Sequence, residues 1–299
     1  MKISILSAVF NEAAYLPEML ASVRAQSHQD WELLFVSDGS TDATDDLVRA
    51  AAREDDRVRL VASGQKIGKV AAFNRAYEAS TGEVVILLAG DDVLTPDSLE
   101  VRAAALSDVD PLVTRAVAFF KLRTMSEDPK HDGMTLPRGA STTSHSGGTL
   151  ALTRALGDMV FPIPASLVSE DPWLSRASEG IATTMREVPA VVLRYRIHEG
   201  NSNPRMRPFD DMSEAMAARH EAWRLLLECE RLDLSATLRS ELEIMYRAEL
   251  LRRQGKVLRL LNTGDLRWAD RAAFASMADP RAFAVRQRYF RALSGWRGR

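Results

Sequence analysis

The sequence predicts an α/β domain built on a mostly parallel sheet with helices on both faces, followed by an α-helical extension. Three observations carry this. Short strand-like runs alternate with amphipathic helical segments through the first hundred residues, the pattern of strands joined by crossover helices. One run, Trp31–Ser37, is nearly continuous in apolar residues, as expected of a strand buried on both faces. After Asn203 the strand signal fades and the chain becomes rich in Ala, Leu, Arg and Glu.

Taken in order, Lys2–Phe10 reads as a strand and Ala13–Ala25 as a helix begun near Asn11. Trp31–Ser37 is the second strand. Thr41–Glu54 is helical, with Ser40 or Thr41 as its cap and Asp42, Asp45 and Asp46 placed favourably for the helix dipole. Arg57–Ala62 is a strand, Val70–Ser80 a helix and Glu83–Leu88 an apolar strand. Thr95, Pro96, Asp97 and Glu100 announce another helix, with proline at its first position. Leu112–Phe120 reads as one more strand. The polar stretch from Arg123 to Gly148 reads as a long loop, a segment type that compact domains tend to keep for function. Thr149–Gly157 and Asp171–Glu179 read as helices, and Ala182–Ile197 as a strand region broken by Pro189. Pro208–Arg231, Ser235–Leu261 and Ala282–Leu293 are helical. These patterns place one domain over residues 1–203, with halves at 1–110 and 111–203, and a helical extension over 204–299.

Composition narrows the class. With 46% hydrophobic and 27% charged residues, the chain is an ordinary globular protein. Its 39 Lys and Arg balance 41 Asp and Glu, so it has no global attraction to nucleic acid. Cys229 is the single cysteine and rules out an internal disulfide, which fits a reducing cytoplasm. Glu228 and Glu230 flank it in a helical pattern, and nothing nearby would activate a thiolate. The first apolar run is too brief for a signal-peptide core, and no stretch approaches ~18 uninterrupted apolar residues. The expectation is a cytoplasmic protein that does not span a membrane. Its tail carries Arg281, Arg286, Arg288, Arg291, Arg297 and Arg299 among Phe283, Tyr289, Phe290, Leu293 and Trp296. Such a basic helix either rests on an anionic membrane face, here the inner face, or packs with its arginines in solvent. The apolar stripes around Leu225–Leu227 and Leu258–Leu261 pack onto the main domain or onto a second copy, as a homodimer.

Ligands of open parallel sheets bind beyond the carboxyl ends of strands. The polar residues there are Asn11 and Glu12, Asp38-Gly39-Ser40, Lys66 to Lys69, and Gly90-Asp91-Asp92. Asp38 follows a buried strand and needs partners, either a ligand or its own Gly39-Ser40 turn. Glu12 suits a helix start in itself. Lys66 and Lys69 open a helix where acids are preferred, which reads as an anion site or as solvated lysines. Adjacent Asp91 and Asp92 suit a hard cation, Mn²⁺ or Mg²⁺, shared with phosphate oxygens. Asp171-Pro172 is a sound helix start, and its carboxylate is equally a candidate general base. Gly147-Gly148 lets backbone pass close to a ligand, with His145 beside it.

With these residues in view, the chain resembles the family 2 glycosyltransferases, which have the GT-A fold. The matching text is Ile3-Ser-Ile-Leu-Ser-Ala-Val-Phe-Asn-Glu12, Val36-Ser-Asp-Gly-Ser-Thr-Asp42, Lys66-Ile-Gly-Lys69 through Asn74, and Gly82 to Asp92. Ser169-Glu-Asp171 and Tyr195-Arg-Ile-His198 match later landmarks, so the resemblance covers about residues 1–203. It implies inverting transfer from a UDP-sugar, or a dTDP-sugar, to a hydroxyl of a saccharide or glycolipid in bacterial polysaccharide or glycoconjugate assembly. By the same resemblance Asp38 binds the base ring, while Ala8, Phe10 and Glu12 hold base and ribose. Lys66 and Lys69 would meet phosphate, and Asp91 the ribose or sugar. Asp92 and His198 would hold the metal, and Asp171 would be the catalytic base. Glu170, Gly147, Gly148 and His145 would line the acceptor pocket. Ala89 departs from the family's usual Asp-x-Asp-Asp, which bears on metal affinity. Two other readings stand beside this one: a donor-binding module without transfer, and a nucleotidyltransferase. The latter usually has a glycine-rich first loop, where this chain has Ala8-Val-Phe-Asn-Glu12.

Overall fold

The computed structural model describes residues 1–198 and 208–296. The chain forms two compact units, Met1–His198 with Arg231–Asp233, and Glu199–Glu230 with Leu234–Arg299. The boundary expected near residue 204 falls outside the described residues, as do Arg297 and Arg299 of the tail.

Unit 1 opens with β1 (Ile3–Val9), α1 (Leu16–Arg24), β2 (Trp31–Ser37), α2 (Thr44–Glu54), β3 (Val58–Ala62), α3 (Lys69–Glu78) and β4 (Val84–Leu87). These strands pair in parallel in the order β3-β2-β1-β4. Alternation then sorts the side chains. Ile3, Ile5 and Val9 of β1, Trp31, Leu33 and Phe35 of β2, and Val84 and Ile86 of β4 join one core with Leu16, Met19 and Val23 of α1 and Val48 of α2. Leu6, Leu34, Val36 and Val85 lie outside that core yet are fully buried, so both sheet faces are covered. Helix α3 packs against β1 and β2.

Beyond β4 the sheet becomes mixed. The remaining elements are β5 (Val93–Leu94), α4 (Ser98–Ala105), β6 (Ala116–Ser126), β7 (Thr135–Leu136), a 3₁₀ turn at Gly147–Thr149, β8 (Leu150–Thr153), α5 (Arg154–Val160), α6 (Asp171–Ile181) and β9 (Thr184–Ile197). The order continues β4-β8-β6-β9-β5, with β7 on β6; only β6 and β9 are parallel in this half.

Several sequence expectations change here. Leu112 and Val113 are exposed in a turn held by Asp110, and the strand begins only at Ala116. The expected loop from Arg123 starts as strand, because β6 runs on to Ser126 and pairs with β7. Leu150–Thr153, read as helix, is instead an antiparallel strand between β4 and β6, where partners on both sides override local propensity. Pro189 does not end β9. It lies where pairing skips from Phe119↔Glu187 to Lys121↔Val191, an irregularity that spares the ladder a missing N–H. Ser40 and Thr41 do not cap α2, which begins at Thr44 beside the Asp42 carboxylate.

Unit 2 contains α7 (Phe209–Glu228), α8 (Ala236–Arg253), α9 (Val257–Leu261), α10 (Trp268–Ala275) and α11 (Pro280–Trp296). The single helix expected over 235–261 divides at Gly255, and α10 was not anticipated. Ser235 does cap α8, accepting the Leu238 N–H. Cys229 lies just past the end of α7 and is a free thiol. No helix among the described residues is long and apolar enough to cross a membrane.

Candidate active site

The loops at the carboxyl ends of β1 and β2 are tied together before any ligand is considered. Asn11 adopts a left-handed conformation, φ 55°, which asparagine tolerates better than most side chains. Its backbone N–H donates to Ser40 Oγ, and its Oδ1 accepts from Thr41 N at 2.8 Å. Glu12 N donates to Thr44 Oγ1 at 2.8 Å and Ala13 N to Asp42 Oδ2 at 3.1 Å. This lacing fixes where Glu12 emerges.

Asp38 is 6% exposed, and its partners are now visible. Its Oδ1 accepts from Ile67 N at 2.5 Å and from Gly68 N at 2.7 Å. It therefore organises the loop before α3 and not the Gly39-Ser40 turn. Gly68 sits at φ 91°, a conformation that glycine adopts without cost. The loop delivers Lys66, whose ammonium lies 3.3 Å from the ring centroid of the exposed Phe10. Ala8 and Val9 lead to this ring at the end of β1.

One lysine joins the two halves of the site. Lys69 Nζ lies 2.8 Å from Glu170 Oε1. Burial pulls its pKa down, but Glu170, Asp171 and Asp91 together outweigh this and raise it. Asp91 follows β4, while Glu170 and Asp171 stand at the start of α6, so the charges of three acids distant in the chain act on one cation. Glu170 is 4% exposed, and its Oε2 has no hydrogen-bond partner among the described residues. Burial raises its pKa against the pull of Lys69. Glu12 is pushed up to about 7 by burial and by repulsion from Asp91 and Asp42.

Asp171 does not cap its own helix; α6 has no side-chain cap. Its Oδ1 instead accepts from Gly147 N at 2.5 Å. A Cβ on Gly147 would sit 2.8 Å from that oxygen, so glycine is what permits the contact. Gly148 continues the turn. His145, two residues earlier, is held elsewhere: Nδ1 is 2.7 Å from Glu179 and Nε2 3.5 Å from Glu187, with the ring stacked on Phe119. Its pKa is raised, first by the Glu179 hydrogen bond.

At the far side of the rim, Asp92 is 4% exposed and its Oδ1 accepts from Arg196 N at 2.9 Å. Burial, and then Asp91, raise its pKa. His198 Nε2 lies 3.0 Å from Asp91 Oδ2, and its ring packs on Tyr15. Arg196 also donates through Nε to the Asp91 carbonyl at 2.8 Å and pairs with Glu18. Arg196 was passed over in the sequence although it stands inside Tyr195-Arg-Ile-His198, two residues from a selected histidine. Among the described residues, no three His, Cys, Asp or Glu side chains are grouped so that they could hold a metal ion.

Residues 4–142 match the family model described as glycosyl transferase family 2. An uncharacterized glycosyltransferase of Nostoc sp. is 38% identical over 112 residues, which is 36% of this chain and 34% of that relative. TuaG of Bacillus subtilis, named for teichuronic acid biosynthesis, is 34% identical over 98 residues, 33% of this chain and 39% of its own length. The chain thus matches a little over a third of the length of these curated relatives. Among solved structures, S. aureus TarS 1–349 in complex with UDP-GlcNAc superposes with TM-score 0.60 at 19% identity, covering 95% of this chain and 83% of that one. The mannosyltransferase PcManGT from Pyrobaculum calidifontis, in complex with GDP-Man and Mn²⁺, gives 0.58 at 16% identity over 98% and 84%. These two likenesses establish a shared fold. Residues 4–142 are thus similar to glycosyl transferase family 2, both in sequence and in the fold they help to build.

Proposed function

We propose that unit 1 transfers a sugar, with inversion, from a uridine or thymidine diphosphate sugar to a hydroxyl of a saccharide or glycolipid acceptor. The observation that carries this is the junction at Lys69, whose ammonium pairs with Glu170 at 2.8 Å and feels the charges of Asp171 and of donor-side Asp91. A catalyst of group transfer needs both sides of a reaction within one pocket, and a binding module does not. TarS, whose structure contains UDP-GlcNAc, supports a uridine donor, and TuaG supports polysaccharide assembly as the setting.

A divalent cation, Mn²⁺ or Mg²⁺, fits the carboxylates present. Asp91 and Asp92 crowd each other, and the burial of Asp92 makes that repulsion costly without a cation. Asp92 and His198 would hold it, with Asp91 beside the donor, and diphosphate oxygens would supply the remaining ligands, since no three His, Cys, Asp or Glu side chains among the described residues are grouped for a cation. Bound there, a cation would offset charge on the departing diphosphate. The protein's own groups do the rest. Asp38, Ala8, Phe10 and Glu12 bind the nucleoside, and Lys66 receives phosphate. Lys69 stands between phosphate and Glu170. Asp171, fixed by Gly147, accepts the proton of the attacking hydroxyl. Glu170, Gly147 and Gly148 border the acceptor, while His145 is engaged by Glu179.

Hydrolysis or transfer of UDP-sugars in Mn²⁺ tests the proposal. Asp171→Asn is expected to slow turnover about 10²- to 10⁴-fold with UDP affinity retained. Turnover at the normal rate in that variant would remove Asp171 from the mechanism, and absence of turnover with every nucleotide sugar, UDP still binding, would favour a donor-binding module.

A further inference from the structure

Arg102 sits on the inward face of α4 and is completely buried, the last place an unpaired cation is expected. Among the described residues no carboxylate lies within ion-pair distance of it. One arm reaches Ser98 Oγ of its own helix, Nε has no partner, and the guanidinium lies 5.6 Å from the Phe120 ring centroid. Burial lowers its pKa, but a guanidinium stays protonated at neutral pH. A buried charge this poorly compensated is a poor stability device, since an apolar side chain of the same volume packs as well without the desolvation cost.

Its other arm gives the reason. Nη2 donates to the Gly148 carbonyl at 2.6 Å. The neighbouring residue of that same 3₁₀ turn, Gly147, donates its N–H to Asp171 Oδ1. The turn is narrow on both sides: a Cβ on Gly148 would meet the Leu193 side chain at 2.8 Å, and one on Gly147 would meet the aspartate. With no side chains of its own to wedge it in place, the Gly147-Gly148 backbone depends on its hydrogen bonds for its position. We infer that Arg102 is a positioning residue for the transfer reaction, holding the Gly147-Gly148 turn from behind so that its N–H fixes the Asp171 carboxylate. It touches neither substrate nor reacting atoms. This inference rests on Asp171 being the catalytic base.

The test uses the full chain, Mn²⁺ and the UDP-sugar turned over fastest in a panel, with kcat and KM measured for Arg102→Gln, Arg102→Met, Arg102→Lys, Asp171→Asn and the Arg102→Gln/Asp171→Asn double variant. Loss of the clamp is expected to lower kcat roughly 10- to 100-fold, as small displacements of a catalytic group do. KM for the nucleotide sugar should stay within about twofold of the original, because donor contacts are untouched. Lysine, which keeps the charge and one donor, should restore most of the rate. The double variant should be no slower than Asp171→Asn alone, since a clamp has nothing left to position. Arg102→Gln with normal kcat, an equal further loss on top of Asp171→Asn, or failure of all three Arg102 variants to fold would each overturn the inference. If Asp171→Asn alone leaves the rate unchanged, the base assignment fails first, and that result is distinct from a loss in Asp171→Asn without one in Arg102→Gln.

Discussion

At Glu12, burial, Asp91 and Asp42 all oppose ionisation, and Lys69 only partly relieves them. The folded-state pKa, about 7, lies above the ordinary value of 4.5, so the fold holds this proton more tightly than the unfolded chain does. The penalty for ionising Glu12 therefore grows as pH rises from about 4.5 to about 7 and is fully present above that. Glu12→Gln removes it. In the absence of divalent cation, thermal melts should show the variant about 2–4 °C more stable at pH 8 and unchanged at pH 5. An equal effect at both pH values would mean that crowding of charge is not the cause. Asp38 makes a related point. The sequence demanded partners for an acid after a buried strand, and the structure supplies two loop amides. Asp38→Ala frees both, and UDP affinity measured by titration should fall about tenfold or more as the Lys66 loop loses its anchor.

Between elements, Asn74 of α3 grips both backbone atoms of Ile163, donating to its carbonyl at 2.7 Å and accepting from its N–H at 2.8 Å. Ile163 belongs to the segment leading to Glu170 and Asp171, so α3 carries both Lys69 and the brace for the acids it faces. Asn74→Ala strands two buried polar groups and should cost about 2–4 kcal/mol in urea denaturation; a loss below about 0.5 kcal/mol would show that water replaces the brace. The alternation of β1 to β4 with α1 to α3 was legible because β2 and β4 are near-continuous apolar runs and each crossover helix has its own period. The second half was not. Leu150–Thr153 is four residues long and becomes strand only because β4 and β6 flank it, and Leu112 and Val113 look like strand yet belong to an Asp110 turn. The candidate site followed the same division. Residues directly after parallel strands could be singled out from position, whereas Arg196 and Arg102 act through partners distant in the chain. For Arg102 the clue was a charge at apolar spacing with Leu99 and Leu106, which reads as an ordinary helix surface until the face it occupies is known.

At the scale of the whole molecule, both units bury apolar side chains and charged ones. In unit 1 the sheet faces are apolar. In unit 2, beside buried Trp223, Leu226, Leu242 and Phe274, there is an internal ion pair: Arg252 is fully buried, is held by Glu249, and reaches Ser213 and the Met277 carbonyl, while His220 lies 2.8 Å from Glu249. Burial alone would raise the Glu249 pKa, but hydrogen bonds from Arg252 and His220 lower it overall, so its contribution is present above the ordinary glutamate value and fades as pH falls below it. Glu249→Gln leaves a buried cation without its counterion and should destabilise unit 2 by about 3–5 kcal/mol at pH 7. Denaturation followed beside UDP titration would then show unit 2 weakened and nucleotide affinity unchanged, whereas loss of both would tie the helices to the donor site. Unit 1 has the central claim to answer for: acids at one sheet edge, uncomfortable together, await a cation that brings the diphosphate with it. Calorimetric titration of UDP with and without Mn²⁺ puts this to the test most directly. Affinity should rise at least tenfold, about 1.4 kcal/mol, with the metal, and Asp92→Ala should erase that gain; equal affinity in both buffers would contradict the account.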